Sequence, residues 1–200
     1  MKQSYAAPFL VLAFSMTLTM SGQEPGKLPP PLAGSRGLTT ETASEFTLTS
    51  PELRSYTAMP VKFTLGAQQP ISPPLTWTGA PSNTAEFVVE LTDPESGTCA
   101  EPELPNRVHW LVAKIPGNVT SLTAGAIAER AREIVPYHAV CLPPSQPEWR
   151  PNHHWHFVVF ALSEPLKLSA NATHDEVVAA MERKILASAR LRPFTTRGKR

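Results

Sequence analysis

The sequence predicts a single, mostly β domain, and three observations support this prediction. The chain has 200 residues with 22 Pro and 10 Gly, a composition that suits short strands separated by turns better than a helix bundle. Short apolar segments alternate with turn residues along the chain. The segment Phe157–Leu162 is continuously apolar and lies between Pro151 and Pro165. Such a run is typical of a strand that is buried on both faces of a sheet.

The ends of the chain have a different composition from the middle. Lys2 followed by the apolar stretch Ala6–Met20 predicts a secretory signal over residues 1–21, too short and broken for a comfortable membrane span. A retained N-terminal anchor is the alternative. Residues 22–40 are predicted as a flexible, Pro- and Gly-rich lead, residues 41–194 as the folded domain, and residues 195–200 as a basic tail. A periplasmic or secreted protein is therefore expected.

Strands are predicted where apolar residues alternate with polar ones or run together. The predicted strands are Glu45–Thr49, Pro60–Thr64, Leu75–Trp77, Glu86–Thr92, His109–Ile115 and Phe157–Leu162. The segment Ala124–Arg132 is a candidate for a short helix. Tyr137–Asn152 has four prolines and no periodicity, which predicts a long loop.

A helix is predicted near the C-terminus. Thr173 and Glu176 form a capping box, because the Glu176 side chain can return to the amide of Thr173. Apolar residues then recur at helical spacing, which predicts a helix that continues through Ala189. The residues from Arg190 to Arg200 are predicted to be a solvated end.

Three of the apolar strands carry a polar residue at one end, and these residues form the candidate site. They are Asp93, His109 and His153, and we expect the three strand ends to meet. Trp155 lies on the same strand face as His153, because side chains alternate along a strand. A rigid strand end with a histidine beside a large aromatic side chain can build a pocket. The ordinary alternative is that both histidines are hydrogen-bonded rim residues.

Cys99 and Cys141 are the two cysteines of the chain. In an oxidising compartment such a pair usually forms a disulfide, which would join the two loops beside the expected pocket. Two free buried thiols are the alternative.

Taken in order, these segments resemble the phosphatidylethanolamine-binding protein family, also called the Raf kinase inhibitor-like proteins, and in particular its bacterial branch. The matching motifs are Phe46–Ser50, Met59–Pro60, Ser72–Trp77, Thr92–Pro94, His109–Trp110, Ile115–Gly117, Pro143–Pro144, His153 and Phe157–Leu162. The resemblance implies a large β-sheet packed on a smaller one, with peripheral helices that include a C-terminal helix. It also implies a small pocket that binds phosphate-like head groups.

The resemblance assigns the pocket to specific residues. The family's aspartate of the Asp-Pro turn, the histidine before tryptophan and the histidine after the proline-rich loop fall on Asp93, His109 and His153. The aromatic residue two positions later is usually tyrosine and is Trp155 here, which keeps an N–H donor but lacks the phenol acceptor. Trp155 and Pro144 are expected to supply apolar walls.

This chain departs from the family pattern at three positions near the expected pocket. Ala67-Gln68 stands where an Asp-Gly pair is usual, and Glu95 replaces a second aspartate. The loop usually reads Gly-Pro-Cys-Pro-Pro and reads Ala139–Pro144 here, so one pocket wall is expected to have a different shape.

The expected function is the binding of a small phosphate-like anion, without catalysis and without a cofactor. The alternative is a regulator of a partner protease or kinase that acts through exposed loops, since family members are described as inhibitors. A net charge of +1 does not favour nucleic acid. His154 and His156 share a strand face but lack a third zinc ligand. A hydrolase would need a nucleophile beside Asp93 and His109, and no Gly-x-Ser-x-Gly motif is present.

Overall fold

The computed structural model describes residues 45–93, 108–140 and 152–196, without the side chains of residues 152, 153 and 196. In chain order its strands are β1 (Thr47–Thr49), β2 (Leu75–Thr78), β3 (Glu86–Thr92), β4 (Val108–Pro116), β5 (Ser121–Leu122), β6 (Arg132–Val135), β7 (Asn152–His154), β8 (His156–Leu162), β9 (Ile185–Leu191) and β10 (Phe194–Thr196). A 3₁₀ helix spans Val61–Phe63, and the α-helix α1 spans His174–Met181. No helix in this part of the chain is long and apolar enough to cross a bilayer.

Three sheets are present in the described residues. The largest has five strands in the order β6-β4-β3-β8-β9, and a second has three strands in the order β1-β2-β5. The strands β7 and β10 form a separate antiparallel ribbon. Every neighbouring pair in the large sheet is antiparallel. The predicted fold class, a large sheet packed on a smaller one with a C-terminal helix, is confirmed.

The large sheet is buried on both faces. On its inner face, Phe87 and Phe157 join side chains of the small sheet, such as Leu75 and Trp77, in one apolar cluster. On its outer face, Val88 and Phe160 pack with Val177 and Met181 of α1. The predicted burial of Phe157–Leu162 on both faces is confirmed, because all of these residues are buried. Alternation along each strand sends neighbouring residues into different clusters.

The C-terminal helix is shorter than predicted. The capping box is present, since Thr173 accepts from the Glu176 amide and the Glu176 side chain accepts from the Thr173 amide. The helix then ends at Met181, and Arg183 takes a left-handed conformation with φ 62. Ile185–Leu191 forms β9 instead of continuing the helix, because it can pair with the edge of β8. The prediction of helix through Ala189 was wrong, since strand pairing outweighed the helical spacing of the apolar residues.

Three other segments also differ from the sequence predictions. Pro60–Thr64 contains a 3₁₀ helix instead of a strand: the adjacent residues Phe63 and Thr64 are both buried, and the Phe63 amide donates to Pro60 O at 3.1 Å. Ala124–Arg132 is not helical, and the left-handed residues Gly125 and Arg130 interrupt it. The segment from Arg190 to Thr196 is not a solvated end, because it completes β9 and forms β10.

Candidate functional site

The pairing of the three central strands β3, β4 and β8 brings the predicted polar ends of β3 and β4 together. Thr92, the last residue of β3, lies opposite Val108 of β4 and opposite His156 of β8. Asp93 follows Thr92, Trp155 precedes His156, and His109 is the second residue of β4, so all three adjoin these paired positions. Asp93 is 7%, His109 6% and Trp155 0% exposed. We call these three residues the sheet corner.

A β-bulge sets the position of His109. Thr92 pairs with Val108 while Leu91 pairs with Trp110, so His109 is the extra residue on β4. Such a bulge changes the direction of a side chain relative to a regular strand. The His109 ring meets the Trp155 ring edge to face, with centroids 4.9 Å apart and an interplanar angle of 79°.

The protonation pattern of His109 follows from a backbone contact. Its Nδ1 lies 3.3 Å from the carbonyl oxygen of His138, and a carbonyl oxygen only accepts hydrogen bonds. Nδ1 therefore carries a hydrogen and donates it. The His138 amide in turn donates to His109 O at 2.7 Å. In the neutral ring, the lone pair then lies on Nε2.

Trp155 supports the corner from inside the protein. Its Nε1 donates to Thr195 Oγ1 at 3.1 Å, and its amide donates to Pro193 O at 3.0 Å. Thr195 is 1% exposed. The indole donor is therefore used within the fold, and what Trp155 offers to His109 is an apolar wall.

The chain matches the family model of the phosphatidylethanolamine-binding protein over residues 49–194. The chain belongs to this family. Its relatives include a UPF0098 protein of Methanothermobacter thermautotrophicus, 28% identical over 153 residues, which cover 70% of this chain and 91% of the relative. The UPF0098 protein YbcL of Escherichia coli is 29% identical over 136 residues, which cover 61% of this chain and 69% of YbcL.

Solved structures show the same fold. A homolog of the phosphatidylethanolamine-binding protein from Chlamydia trachomatis aligns with a TM-score of 0.60 and 24% identity, covering 76% of this chain and 98% of its own. The crystal structure of Escherichia coli YbcL, described as a new member of the mammalian family, aligns with a TM-score of 0.57 and 23% identity, covering 78% and 100%.

The remaining predicted site residues of this family member lie beside the corner or outside the described part. His153 belongs to β7, where it pairs with Thr195. The structure does not describe its side chain. Pro144, Cys99 and Cys141 also lie outside the described residues, as does the predicted disulfide.

Two residues that bond to the sheet corner, Thr195 and His138, have no signal in the sequence. Thr195 lies in the segment predicted as a tail, and a threonine between Phe194 and Thr196 gives no signal of burial. His138 acts through its carbonyl oxygen, which every residue type possesses. Only the neighbours of these residues in space indicate their roles.

An exposed aromatic group lies on the ribbon of β7 and β10. Tyr56 is 64% exposed and has a left-handed backbone with φ 61. Its ring lies 6.4 Å from the His154 ring, which in turn lies 6.0 Å from the ring of Phe194. The ribbon that carries His153 therefore has aromatic side chains on its surface.

Proposed function

We propose that this member of the family is an exported protein that binds a small phosphate-like anion at the sheet corner. His109 is the central anion-binding group, Trp155 is the wall beneath it, and His153 and Pro144 complete the site. The observation that carries the proposal is the His109 bulge, which places a buried imidazole against Trp155 with one nitrogen bound to a backbone carbonyl. Asp93, at the end of β3, favours the charged form of a nearby imidazole.

The chemistry of the corner supports anion binding that depends on pH. When Nε2 of His109 is protonated, the ring is a cation that can donate to an anionic oxygen, and charge-assisted hydrogen bonds are the stronger kind. When Nε2 loses its proton, the same atom presents a lone pair and repels that oxygen. Asp93 is itself an anion, which limits affinity. We therefore propose weak binding that improves toward lower pH.

We propose binding and not turnover. Trp155 is fully buried, and its one polar side-chain atom is bonded to Thr195. The described wall next to the imidazole therefore presents an aromatic surface and no nucleophile. Covalent catalysis requires a nucleophile within hydrogen-bonding distance of its base.

Titration calorimetry with phenyl phosphate tests the proposal. Binding should be tighter at pH 5.5 than at pH 8, because an unperturbed histidine titrates near pH 6.5. His109→Ala and His153→Ala should each weaken binding at least about tenfold, equivalent to about 1.4 kcal/mol. His154→Ala is the matched control and should bind as the wild type does. Binding to vesicles of zwitterionic phospholipid tests whether the ligand is a lipid head group and not a soluble ester. Equal binding by wild type and both site variants would overturn the proposal.

Export is tested separately. If residues 1–21 are a signal peptide, the protein recovered from outside the cytoplasm should lack about the first 20 residues. Intact mass spectrometry measures this directly, and the same spectrum with and without alkylation reports whether Cys99 and Cys141 are bonded. A full-length intracellular product with two alkylated thiols would contradict both predictions.

Exposed apolar side chains favour a second candidate function, the regulation of a partner protease or kinase. Tyr56, Val61 and Leu65 lie close together in the chain and are 64%, 59% and 57% exposed, and exposed apolar groups are typical of interaction sites. Cross-linking in the extracytoplasmic fraction, with wild type and a variant carrying serine at all three positions, tests this candidate. A specific enzyme captured by the wild type and lost by the variant would support it.

A further inference from the structure

A cavity is lined by residues that do not belong to the sheet corner. It has a volume of about 370 Å³ and is lined by Pro70, Ile71, Ser72, Gly125, Ala126, Ile127, Glu133, Pro136 and Tyr137. These residues come from the segment before β2, the segment after β5, and edge strand β6 with the residues that follow it. The cavity therefore opens where the edge of the large sheet meets the small sheet. Its volume is within the range of about 300–1,000 Å³ that is usual for small-molecule sites.

A carboxylate stands in the wall of this cavity. Trp110, which is fully buried, donates from Nε1 to Glu133 Oε1 at 2.8 Å. That bond fixes one carboxylate oxygen and leaves the charge of Glu133 without a cation partner in the described part of the chain. The adjacent Arg132 uses its guanidinium on Ser169 O and Ala170 O, at 2.9 and 2.7 Å. Lys62, whose backbone oxygen receives the Ile71 amide, forms its ion pair with Glu52.

Apart from Glu133 and Ser72, the residues that line the cavity are aromatic or aliphatic side chains, prolines and a glycine. The Tyr137 hydroxyl donates to Phe63 O at 2.7 Å, and its ring meets the Trp110 ring edge to face at 5.9 Å. Burial raises the pKa of the Tyr137 phenol far above its usual value, so this side chain remains neutral. Ile71 and Ile127 line the cavity, and each is 38% exposed. Large aliphatic side chains that line a cavity can cover the apolar part of a ligand.

We propose that this cavity binds a compact organic cation, an ammonium group attached to an apolar body. Glu133 supplies the counter-charge, and Tyr137 offers an aromatic surface of the kind that attracts ammonium groups. Ile71 and Ile127 enclose the apolar body. A bare metal ion fits less well, because Mg²⁺ and Ca²⁺ require more oxygen ligands than one carboxylate can supply. The residues that line the cavity are different from those of the sheet corner.

A matched pair of probes tests the proposal: phenethylamine as the cation and 2-phenylethanol as its neutral counterpart. Backbone amide chemical shifts of the full protein should report binding of the amine at residues 71–72, 125–127, 133–135 and 137. The alcohol should bind more weakly, by about fivefold, because an exposed carboxylate contributes no more than about 1 kcal/mol to such a pair.

The variant Glu133→Gln separates charge from structure. Glutamine keeps an oxygen that accepts the Trp110 hydrogen bond, so the fold is preserved while the counter-charge is lost. Amine binding should fall about fivefold to the level of the alcohol, and alcohol binding should not change. Glu164→Gln removes the same charge from an exposed position outside the cavity and should bind both probes as the wild type does. Equal amine binding by Glu133→Gln and wild type would overturn the proposal. Chemical-shift changes confined to residues outside the cavity would also overturn it.

Discussion

The two faces of β3 are both buried, yet different interactions hold them. The inner face presents Phe87, Val89 and Leu91 to the apolar core between the sheets. The outer face presents Glu86 and Glu90 beside Val88, and these carboxylates are only 8% and 2% exposed. The inner face is stabilised by apolar burial alone, whereas the outer face depends on partners for its charges.

Each outer carboxylate has its own partner. Glu86 Oε2 accepts from the Leu166 amide at 2.8 Å, and Glu86 Oε1 lies 3.6 Å from Lys114 Nζ. Glu90 Oε1 lies 3.2 Å from Nε2 of His174, the first residue of α1. Nδ1 of His174 lies 3.0 Å from Asp175 Oδ1. Both ring nitrogens therefore face acceptors, which favours the doubly protonated imidazolium. A single strand, β3, therefore joins an apolar core on one face to a charge-dependent helix contact on the other.

The largest expected effect is on the inner face. Phe87 is 1% exposed, and its ring lies 5.3 Å from that of Trp77. Phe87→Ala should lower the free energy of unfolding by about 3–5 kcal/mol, because it removes buried surface and leaves a cavity. Urea denaturation measures this. Val61→Ala is the control, since Val61 is 59% exposed and its loss should cost no more than about 0.5 kcal/mol.

On the outer face, removal of one charge should cost more than removal of both. His174→Ala leaves Glu90 buried and unpaired, and we expect a loss of about 2–3 kcal/mol at pH 8. The double variant Glu90→Leu with His174→Leu should recover most of this loss, because two apolar side chains need no partner. Denaturation of both variants at one pH gives the comparison. A double variant less stable than His174→Ala would contradict the expectation.

A smaller effect is expected at the helix that covers the outer face. Thr173→Ala removes the side chain that accepts from the Glu176 amide, and loss of such a cap costs about 1 kcal/mol. Thr173→Ser keeps the hydroxyl and should remain close to wild type. Hydrogen exchange of the α1 amides is the most direct measurement, and unchanged protection in Thr173→Ala would show that the cap is dispensable.

The most gradual effect is the dependence of stability on pH. Burial alone would lower the pKa of His174, but its hydrogen bonds and charge interactions with Glu90 and Asp175 raise it. Burial raises the pKa of Glu90 despite the opposing contact with His174. The folded state therefore holds protons more tightly at both groups, so stability decreases as pH rises. The stabilisation that His174 contributes is fully present below about pH 6.5, the pKa of an unperturbed histidine. It is lost as the pH rises through the higher pKa of His174 in the folded state.

The matched variant His174→Gln isolates this group from the other histidines. The difference in unfolding free energy between wild type and His174→Gln should decrease as the pH is raised from 6 to 9. Urea denaturation across that range measures the slope. A difference in unfolding free energy that grows with pH would contradict this prediction.

Local pattern was sufficient for the elements that carry most of the fold. Continuous apolar residues identified β3, β4 and β8, and the capping box identified the start of α1, because these signals depend on near neighbours in the chain. The polar residues at the ends of β3 and β4 gave the prediction that Asp93 and His109 come together. The family resemblance led to the same fold and to the same two residues.

Only the tertiary structure decided what depends on distant partners. Ile185–Leu191 has helical spacing but becomes a strand because the edge of β8 is open to it. The bulge at His109 depends on how β4 aligns with β3, and the Trp155 donor is bonded to a threonine 40 residues later in the chain. Free energies of pairing and burial are properties of the assembled sheet, and they outweigh local preference where the two conflict.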